Sequence, residues 1–132
     1  HAIALFEMMA LPTPHTIGAR YPHECSGGQL QRIMAAMALI TEPELVIFDE
    51  PTTGLHFHDI KKLLKAINAL VDQGDSVIII EHNMEVIKSA DWILDLGPEG
   101  GEAGGYLTFS GTPEEMIKLE GNYTANFLKE KL

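Results

Sequence analysis

Short apolar runs of strand length alternate along this chain with segments in which apolar residues recur every three or four positions. Leu45–Phe48 and Ser76–Ile80 are the clearest strand candidates, and each is followed directly by polar residues. Between them, apolar residues at helical spacing run from Ile60 to Val71, which predicts an amphipathic helix closed by Gly74. Continuous apolar strands are typical of parallel sheets covered on both faces. The pattern therefore predicts an α/β fold with a mostly parallel sheet flanked by helices.

The first third of the chain predicts two helices joined by a loop. Residues 1–10 have helical character, and the two prolines of Leu11–Pro14 end that helix. Ser26 followed three places later by Gln29 is a capping box, so we expect a signature helix over about 26–41. We expect its apolar face to consist of Ile33, Met34, Met37 and Ala38, with the methionines packed in the core.

The remaining third predicts a strand pair among short helices. Asn83 can cap a short helix, and Asp91–Leu96 is a third strand candidate. The glycine-rich stretch that follows predicts a turn into Tyr106–Phe109, an antiparallel hairpin strand at the edge of the sheet. Thr112, with proline next to it and glutamate three places later, predicts another helix start. A last helix is expected from about Tyr123.

Composition narrows the function classes. A chain of 132 residues is expected to form at most one domain with one core, and it contains no apolar run near the roughly 20 residues that span a bilayer. The lone Cys25 can form neither an internal disulfide nor a zinc cluster, so we expect no zinc and a cytoplasmic setting. The net charge of −10 disfavours a broad nucleic-acid face. Because the sequence begins at His1, without methionine, we expect an excised piece.

Two groups of residues are candidates for phosphate chemistry. Ser26, Gly27, Gly28 and Gln29 stand at a predicted helix start, where free N–H groups and the helix dipole favour a phosphate; an ordinary capped turn is the alternative. Asp49 and Glu50 follow a predicted parallel strand, at the sheet edge where ligands of such folds bind. Asp49 could hold Mg²⁺ through water, Glu50 could orient or deprotonate an attacking water, and His82 could donate to the same phosphate. Solvated acids and a structural histidine are the alternatives.

The order of these motifs resembles that of ABC-type ATPases. Cys25–Gln29 resembles the family signature with Cys in place of the usual Leu, and Leu45–Glu50 resembles the Walker B strand. Thr53–His56 resembles the D-loop, and His82 the switch histidine. The resemblance implies a partial P-loop NTPase fold that uses ATP and Mg²⁺. It also implies that residues 1–132 are the C-terminal part of one ABC ATPase domain. Within that part the signature helix lies at about 26–41, and the stretch from Walker B to the C-terminus lies at 44–132.

A Walker A loop is missing from the sequence, which has no Gly-x-x-x-x-Gly-Lys-Ser/Thr and no Gly-Lys pair. We therefore expect the chain to be inactive alone and to need the N-terminal half of the module, which carries that loop. The resemblance also implies a second ATPase module, with nucleotide sandwiched head to tail between the two. In that arrangement Ser26–Gln29 of one unit completes the site on the other.

Within the superfamily, two resemblances compete. Residues 50–57, 80–83 and 90–101 resemble the second ATPase module of UvrA, the damage-recognising subunit of bacterial nucleotide excision repair, with DNA contacted by other parts of the parent. Residues 18–53 resemble the ATPase subunits of oligopeptide importers, so a transporter ATPase is the alternative. An importer would carry Ala-Leu-Asp where this chain has Gly54, Leu55 and His56. A mosaic, or a non-catalytic fragment or chimera that keeps the fold, is the third possibility.

Overall fold

The predicted alternation of helices and strands is present in the computed structural model, which describes residues 1–97 and 104–131. These residues divide into two units, His1–Glu81 and His82–Leu132. Each unit has its own hydrophobic cluster, so the expectation of a single core is wrong. The physical reason is that each unit packs its helices against a separate pair of strands.

The first unit contains three α-helices and a parallel strand pair. Its elements are α1 (Ala2–Met8), α2 (Gly27–Leu39), β1 (Leu45–Asp49), α3 (Phe57–Asp72) and β2 (Ser76–Ile80). Short 3₁₀ helices at Ile17–Ala19 and Pro22–Glu24 shape the loop before α2. β1 and β2 pair in register from Leu45 opposite Ser76 to Asp49 opposite Ile80. The predicted boundaries of these elements are confirmed to within a few residues.

The sheet of the first unit is covered on one face, and the expectation of burial on both faces is wrong. Val46 is buried, and Phe48 and Val77 pack against the cluster formed with α1, α2 and α3. On the opposite face the side chains of Leu45, Ile47, Ile78 and Ile80 are about half exposed. Parallel strands normally have both faces covered. This face of the β1–β2 sheet is therefore a half-exposed apolar surface of the first unit.

The apolar face predicted for α2 is wrong for three of its four residues, since only Ile33 packs against the core cluster. Met34 and Met37 are 64% and 66% exposed, and Ala38 is exposed as well. The buried positions are Gly28, Arg32, Ala35, Ala36 and Leu39. Because most of these are small, α2 packs closely on α1 and α3 through a face that a count of large apolar residues overlooks.

The second unit is built around an antiparallel hairpin. Its elements are α4 (Met84–Ile87), β3 (Ile93–Gly97), β4 (Tyr106–Gly111), α5 (Pro113–Met116) and α6 (Tyr123–Lys129). Among the described residues this hairpin forms a sheet of its own, where the sequence led us to expect an edge of the β1–β2 sheet. The predicted glycine-rich turn lies largely outside the described residues. Ile93, Met116, Ala125 and Leu128 form the cluster of this unit.

Asp95 connects the hairpin to the last helix. Its carboxylate accepts hydrogen bonds from Thr108 (2.7 Å), Asn122 (2.8 Å) and Thr124 (3.0 Å). Asn122 also caps α6, since its side-chain oxygen accepts from the N–H of Ala125. Burial acts to raise the pKa of Asp95, but the three hydrogen bonds outweigh it and hold the pKa below its ordinary value.

Across the described residues, no helix is both long and apolar enough to cross a bilayer.

Candidate functional site

The start of α2 has the predicted reciprocal cap. The Ser26 hydroxyl accepts from the Gln29 N–H at 3.3 Å, and the Gln29 side chain accepts from the Ser26 N–H at 3.0 Å. Ser26 and Gly27 are exposed. The first N–H groups of a helix lack intrahelical acceptors, and here the cap satisfies that of Gln29, so the positive end of the helix dipole lies at the exposed Gly27. This geometry suits an anionic group brought from outside the unit.

Gly28 serves packing more directly than it serves ligand approach. A Cβ built at this buried position would lie 2.7 Å from Cγ of Asp59 and 2.9 Å from its Cβ and Oδ1. At Gly27, by contrast, the nearest atom would be Cδ2 of Leu55 at an ordinary 3.9 Å. The two glycines therefore have different roles, although the sequence treats them alike. The structure brings the start of α2 against the segment from Leu55 to Asp59.

Asp49 and Glu50 lie exposed at the carboxyl end of β1, as predicted. The N–H of Glu50 donates to the carbonyl of Ile80 at 2.9 Å, which extends the β1–β2 pairing by one residue. Glu50 has a φ of 45°, the left-handed conformation that non-glycine residues rarely adopt. The backbone therefore leaves the extended conformation of β1 at Glu50.

The segment after Glu50 forms a tight turn. The N–H of Thr53 donates to the carbonyl of Glu50 at 3.1 Å, and its hydroxyl lies 3.3 Å from Oε2 of the same residue. Thr52 is buried, and both its N–H and its hydroxyl donate to Oε1 of Glu81, the N–H at 2.8 Å. Gly54 then adopts a φ of 74°, and α3 begins after His56. The D-loop segment is thus placed beside the start of α2.

His82 is exposed and is the first residue of the second unit. Asn83 follows it and caps α4 by accepting from the N–H of Glu85 at 2.9 Å. The histidine therefore stands between the end of β2 and a short capped helix. Asp49, Glu50 and Ser26–Gln29 all lie in the first unit, whereas His82 belongs to the second.

Sequence reasoning did not single out three residues that support these motifs, namely Arg32, Asp59 and Glu81. Arg32 is 2% exposed and its Nη1 lies 3.7 Å from Oδ1 of Asp59. Burial lowers the pKa of Arg32, and the charge of Asp59 opposes that effect. A signal for Arg32 existed, because it shares a helical face with Gly28, Ala35 and Leu39. Glu81 could have been noticed as a carboxylate at the end of an apolar strand.

Comparison with known proteins first identifies the class of protein to which this chain is similar. The ABC transporter family model matches residues 2–53, which include the signature and Walker B segments. A dimeric ATP-binding cassette in a post-hydrolysis state, bound to ADP and Pi, has a similar fold: the TM-score is 0.60 with 26% identity over 70% of this chain and 39% of that one. The fold is therefore that of an ABC ATPase segment, as predicted.

The particular family follows from closer relatives. UvrABC system protein A of Agrobacterium fabrum is 58% identical over 110 residues, or 81% of this chain. The crystal structure of UvrA2 from Deinococcus radiodurans covers 99% of the chain at 38% identity, with a TM-score of 0.80. The chain belongs to the UvrA family.

The chain spans only a small part of these relatives, 11% of the Agrobacterium protein and 16% of the UvrA2 chain. The likeness to UvrA2 extends over nearly the whole chain, including the segment 18–53 that resembles importer subunits. The importer-like segment thus lies within a continuous UvrA-like fold.

Proposed function

We propose that this chain is the catalytic-strand and signature portion of an ATP-hydrolysing module in a UvrA protein that acts in nucleotide excision repair. The observation that supports this most directly is the placement of Asp49 and Glu50. Both carboxylates are exposed at the end of β1, and the backbone of Glu50 is fixed to the end of β2. In P-loop NTPases an aspartate helps to hold Mg²⁺ and a further residue positions the attacking water, and ligands of α/β folds bind at this edge of the sheet.

The donor set fits Mg²⁺ and a nucleotide phosphate. Mg²⁺ prefers oxygen ligands and keeps several waters, so the exposed Asp49 carboxylate suits a water-mediated contact. When bound, the metal would supply neutralisation of phosphate charge. Glu50 orients or deprotonates the attacking water, and His82 donates a hydrogen bond toward the terminal phosphate. These roles for Glu50, Asp49 and His82 match the family motifs residue by residue.

A second ATPase module is the proposed partner of the start of α2. Ser26 and Gly27 are exposed at the start of a helix, where the first N–H groups lack intrahelical acceptors, and this suits the terminal phosphate of a nucleotide held by another unit. The related ATP-binding cassette bound to ADP and Pi is dimeric. The arrangement supports a head-to-tail sandwich in which Ser26, Gly27, Gly28 and Gln29 complete the partner's site.

The exposed face of the β1–β2 sheet supports the other proposed partner, the N-terminal half of the same module with its Walker A loop. Leu45, Ile47, Ile78 and Ile80 form a continuous apolar strip there, since residues paired across parallel strands share a face. Burying this strip would complete a sheet covered on both faces. The chain's small share of its relatives' length leaves room for that half in the parent protein.

DNA contact is proposed to come from other parts of the parent. A chain with a net charge of −10 repels the phosphate backbone, whereas binding to DNA needs clustered lysines and arginines. The cytoplasm, where bacterial DNA and ATP are found together, is the proposed location.

The test is Glu50→Gln in the complete ATPase that contains this segment. The amide keeps the shape but cannot accept a proton from water, so we expect kcat to fall by about 100-fold or more while ATP binding is retained. Single-turnover hydrolysis and equilibrium nucleotide binding separate the two effects.

A matched control is Glu44→Gln, which changes an exposed acid just before the other end of β1. Turnover of that variant should equal wild type. Wild-type turnover in Glu50→Gln would refute the proposed role of Glu50 and with it the proposed site.

A further inference from the structure

The catalytic segment of the proposed site has an unusual backbone that needs support. Glu50 sits at a φ of 45°, and a non-glycine residue in this left-handed region is strained relative to an ordinary conformation. Such a conformation persists when surrounding contacts determine it. The contacts around Glu50 therefore decide where its carboxylate lies.

Two anchors join this segment to the end of β2. The first is the backbone bond from the Glu50 N–H to the Ile80 carbonyl. The second comes from Glu81, the residue directly after β2, because its Oε1 accepts both the N–H and the hydroxyl of Thr52. Thr52 is only 7% exposed and Glu81 is half-buried, so water competes weakly for these bonds. A charged acceptor also makes them stronger than bonds between neutral groups.

The position of Glu50's side chain depends on the same turn. Thr53, adjacent to Thr52, donates its N–H to the Glu50 carbonyl and places its hydroxyl 3.3 Å from the Glu50 carboxylate. If Thr52 shifts, Thr53 and the Glu50 carboxylate shift with it. The path from Glu81 to Glu50 thus consists of two consecutive residues in one tight turn.

We propose that Glu81 is a positioning residue for hydrolysis, whose carboxylate holds Thr52 and thereby aims the carboxylate of Glu50 at the attacking water. The inference rests on the proposed role of Glu50. Glu81 itself acts through hydrogen-bond acceptance and exchanges no proton in this role. A side chain that can still accept both bonds should therefore preserve activity even without a negative charge.

The experiment measures steady-state ATP hydrolysis by the complete ATPase carrying Glu81→Ala, Glu81→Gln or Thr52→Val. Glu81→Ala should lower kcat by about 10- to 100-fold with an unchanged KM, because a displacement of about 1 Å at a reacting group costs that much. Glu81→Gln keeps an acceptor oxygen and should stay within about threefold of wild type. Thr52→Val keeps the N–H and the shape but loses the hydroxyl, so its kcat should lie between those of Glu81→Ala and Glu81→Gln. Glu44→Ala is the control and should match wild type.

A second measurement separates positioning from folding. In a Glu50→Gln background, Glu81→Ala should cause no further loss of turnover, because the group that it positions is already gone. A further loss there, or wild-type kcat in Glu81→Ala, would overturn the inference. If Glu81→Ala does not fold, wild-type kcat in Thr52→Val overturns it instead. A large loss in Glu50→Gln with no loss in Glu81→Ala would leave the proposed function intact and remove only this inference.

Discussion

Arg32 and Asp59 join the second helix to the third at 3.7 Å, through a guanidinium that is almost fully buried and a carboxylate that is partly exposed. At this Nη1–Oδ1 distance the contact is an ion pair and is too long to be a hydrogen bond between these two atoms. Within the described chain, Nε and Nη1 of Arg32 have no hydrogen-bond partner. An arginine keeps its proton under all ordinary conditions, so the pair places a charge in the core with one oppositely charged neighbour.

The first prediction concerns that pair. Asp59→Ala leaves the buried charge of Arg32 uncompensated, and we expect the free energy of unfolding of the first unit to fall by roughly 2–4 kcal/mol. The double variant Arg32→Met with Asp59→Ala removes both charges and should recover most of the loss. Denaturant unfolding followed by circular dichroism measures both effects. Asp72→Ala, at the exposed far end of α3, serves as control. Equal losses in the single and double variants would contradict the assignment of the cost to the stranded charge.

The second prediction compares the two glycines at the start of α2. Gly28→Ala would put a methyl group 2.7 Å from the Asp59 carboxyl carbon, so Asp59 or the helix that carries it must shift, at a cost of about 1–3 kcal/mol. Gly27→Ala meets ordinary contact distances and should be neutral or stabilising by up to about 1 kcal/mol, because alanine is the better helix former. Thermal melts of the two variants test this directly. Equal melting temperatures would show that the packing at Gly28 is not tight.

The third prediction is a dependence of stability on pH in the second unit. The pKa of Asp95 lies below its ordinary value of 3.8, so the ionised carboxylate stabilises the fold. That contribution is complete above about pH 4 and is lost as the pH falls through the lowered pKa. The fluorescence of Trp92, the single tryptophan of the chain, reports unfolding of this unit. We expect stability to decline below pH 4 in the wild type.

Replacement of Asp95 should remove that dependence. In Asp95→Asn one of the two acceptor oxygens becomes an NH2 donor, so the bonds from Thr108 and Asn122 to one oxygen and from Thr124 to the other cannot all be kept, and we expect a loss of about 1–3 kcal/mol at pH 7. The difference in the free energy of unfolding between wild type and Asp95→Asn should narrow as the pH falls below 4. Asp91→Asn, an exposed acid in the same unit, should follow the wild-type curve. A constant difference across this pH range would show that ionisation of Asp95 does not stabilise the unit.

The fourth prediction is that the 132-residue chain alone neither binds Mg-ATP tightly nor hydrolyses it. The Walker A loop supplies the backbone cradle, the lysine and the hydroxyl that carry most of the phosphate affinity, and the sequence lacks that motif. The surplus negative charge of the chain further opposes an anionic ligand. Calorimetric titration should give no measurable binding below about 1 mM ATP. A micromolar Kd, or turnover abolished by Glu50→Gln, would contradict this.

Local sequence signals determined the elements and most of the caps. Ser26 with Gln29, and Thr112 with Glu115, form the capping boxes that their spacing predicts, because a cap needs partners only three residues away. The order of strand ends also predicted that Asp49 and Glu50 would follow β1 at the sheet edge. Their roles in hydrolysis remain predictions, as do those of His82 and of the helix start.

Only the tertiary structure decided which faces are buried and which distant residues meet. From periodicity, Met34 and Met37 should face the core, yet α2 packs through Arg32 and small residues, because a close helix contact favours small volume over apolar size. The pairing of Thr52 with Glu81 spans 29 positions and has no periodic signature. A sequence records local hydrogen-bonding partners and apolar spacing, but contacts between distant segments depend on how the elements pack. That packing also decided that the helices cover one face of the β1–β2 sheet and leave the side chains of the other face about half exposed.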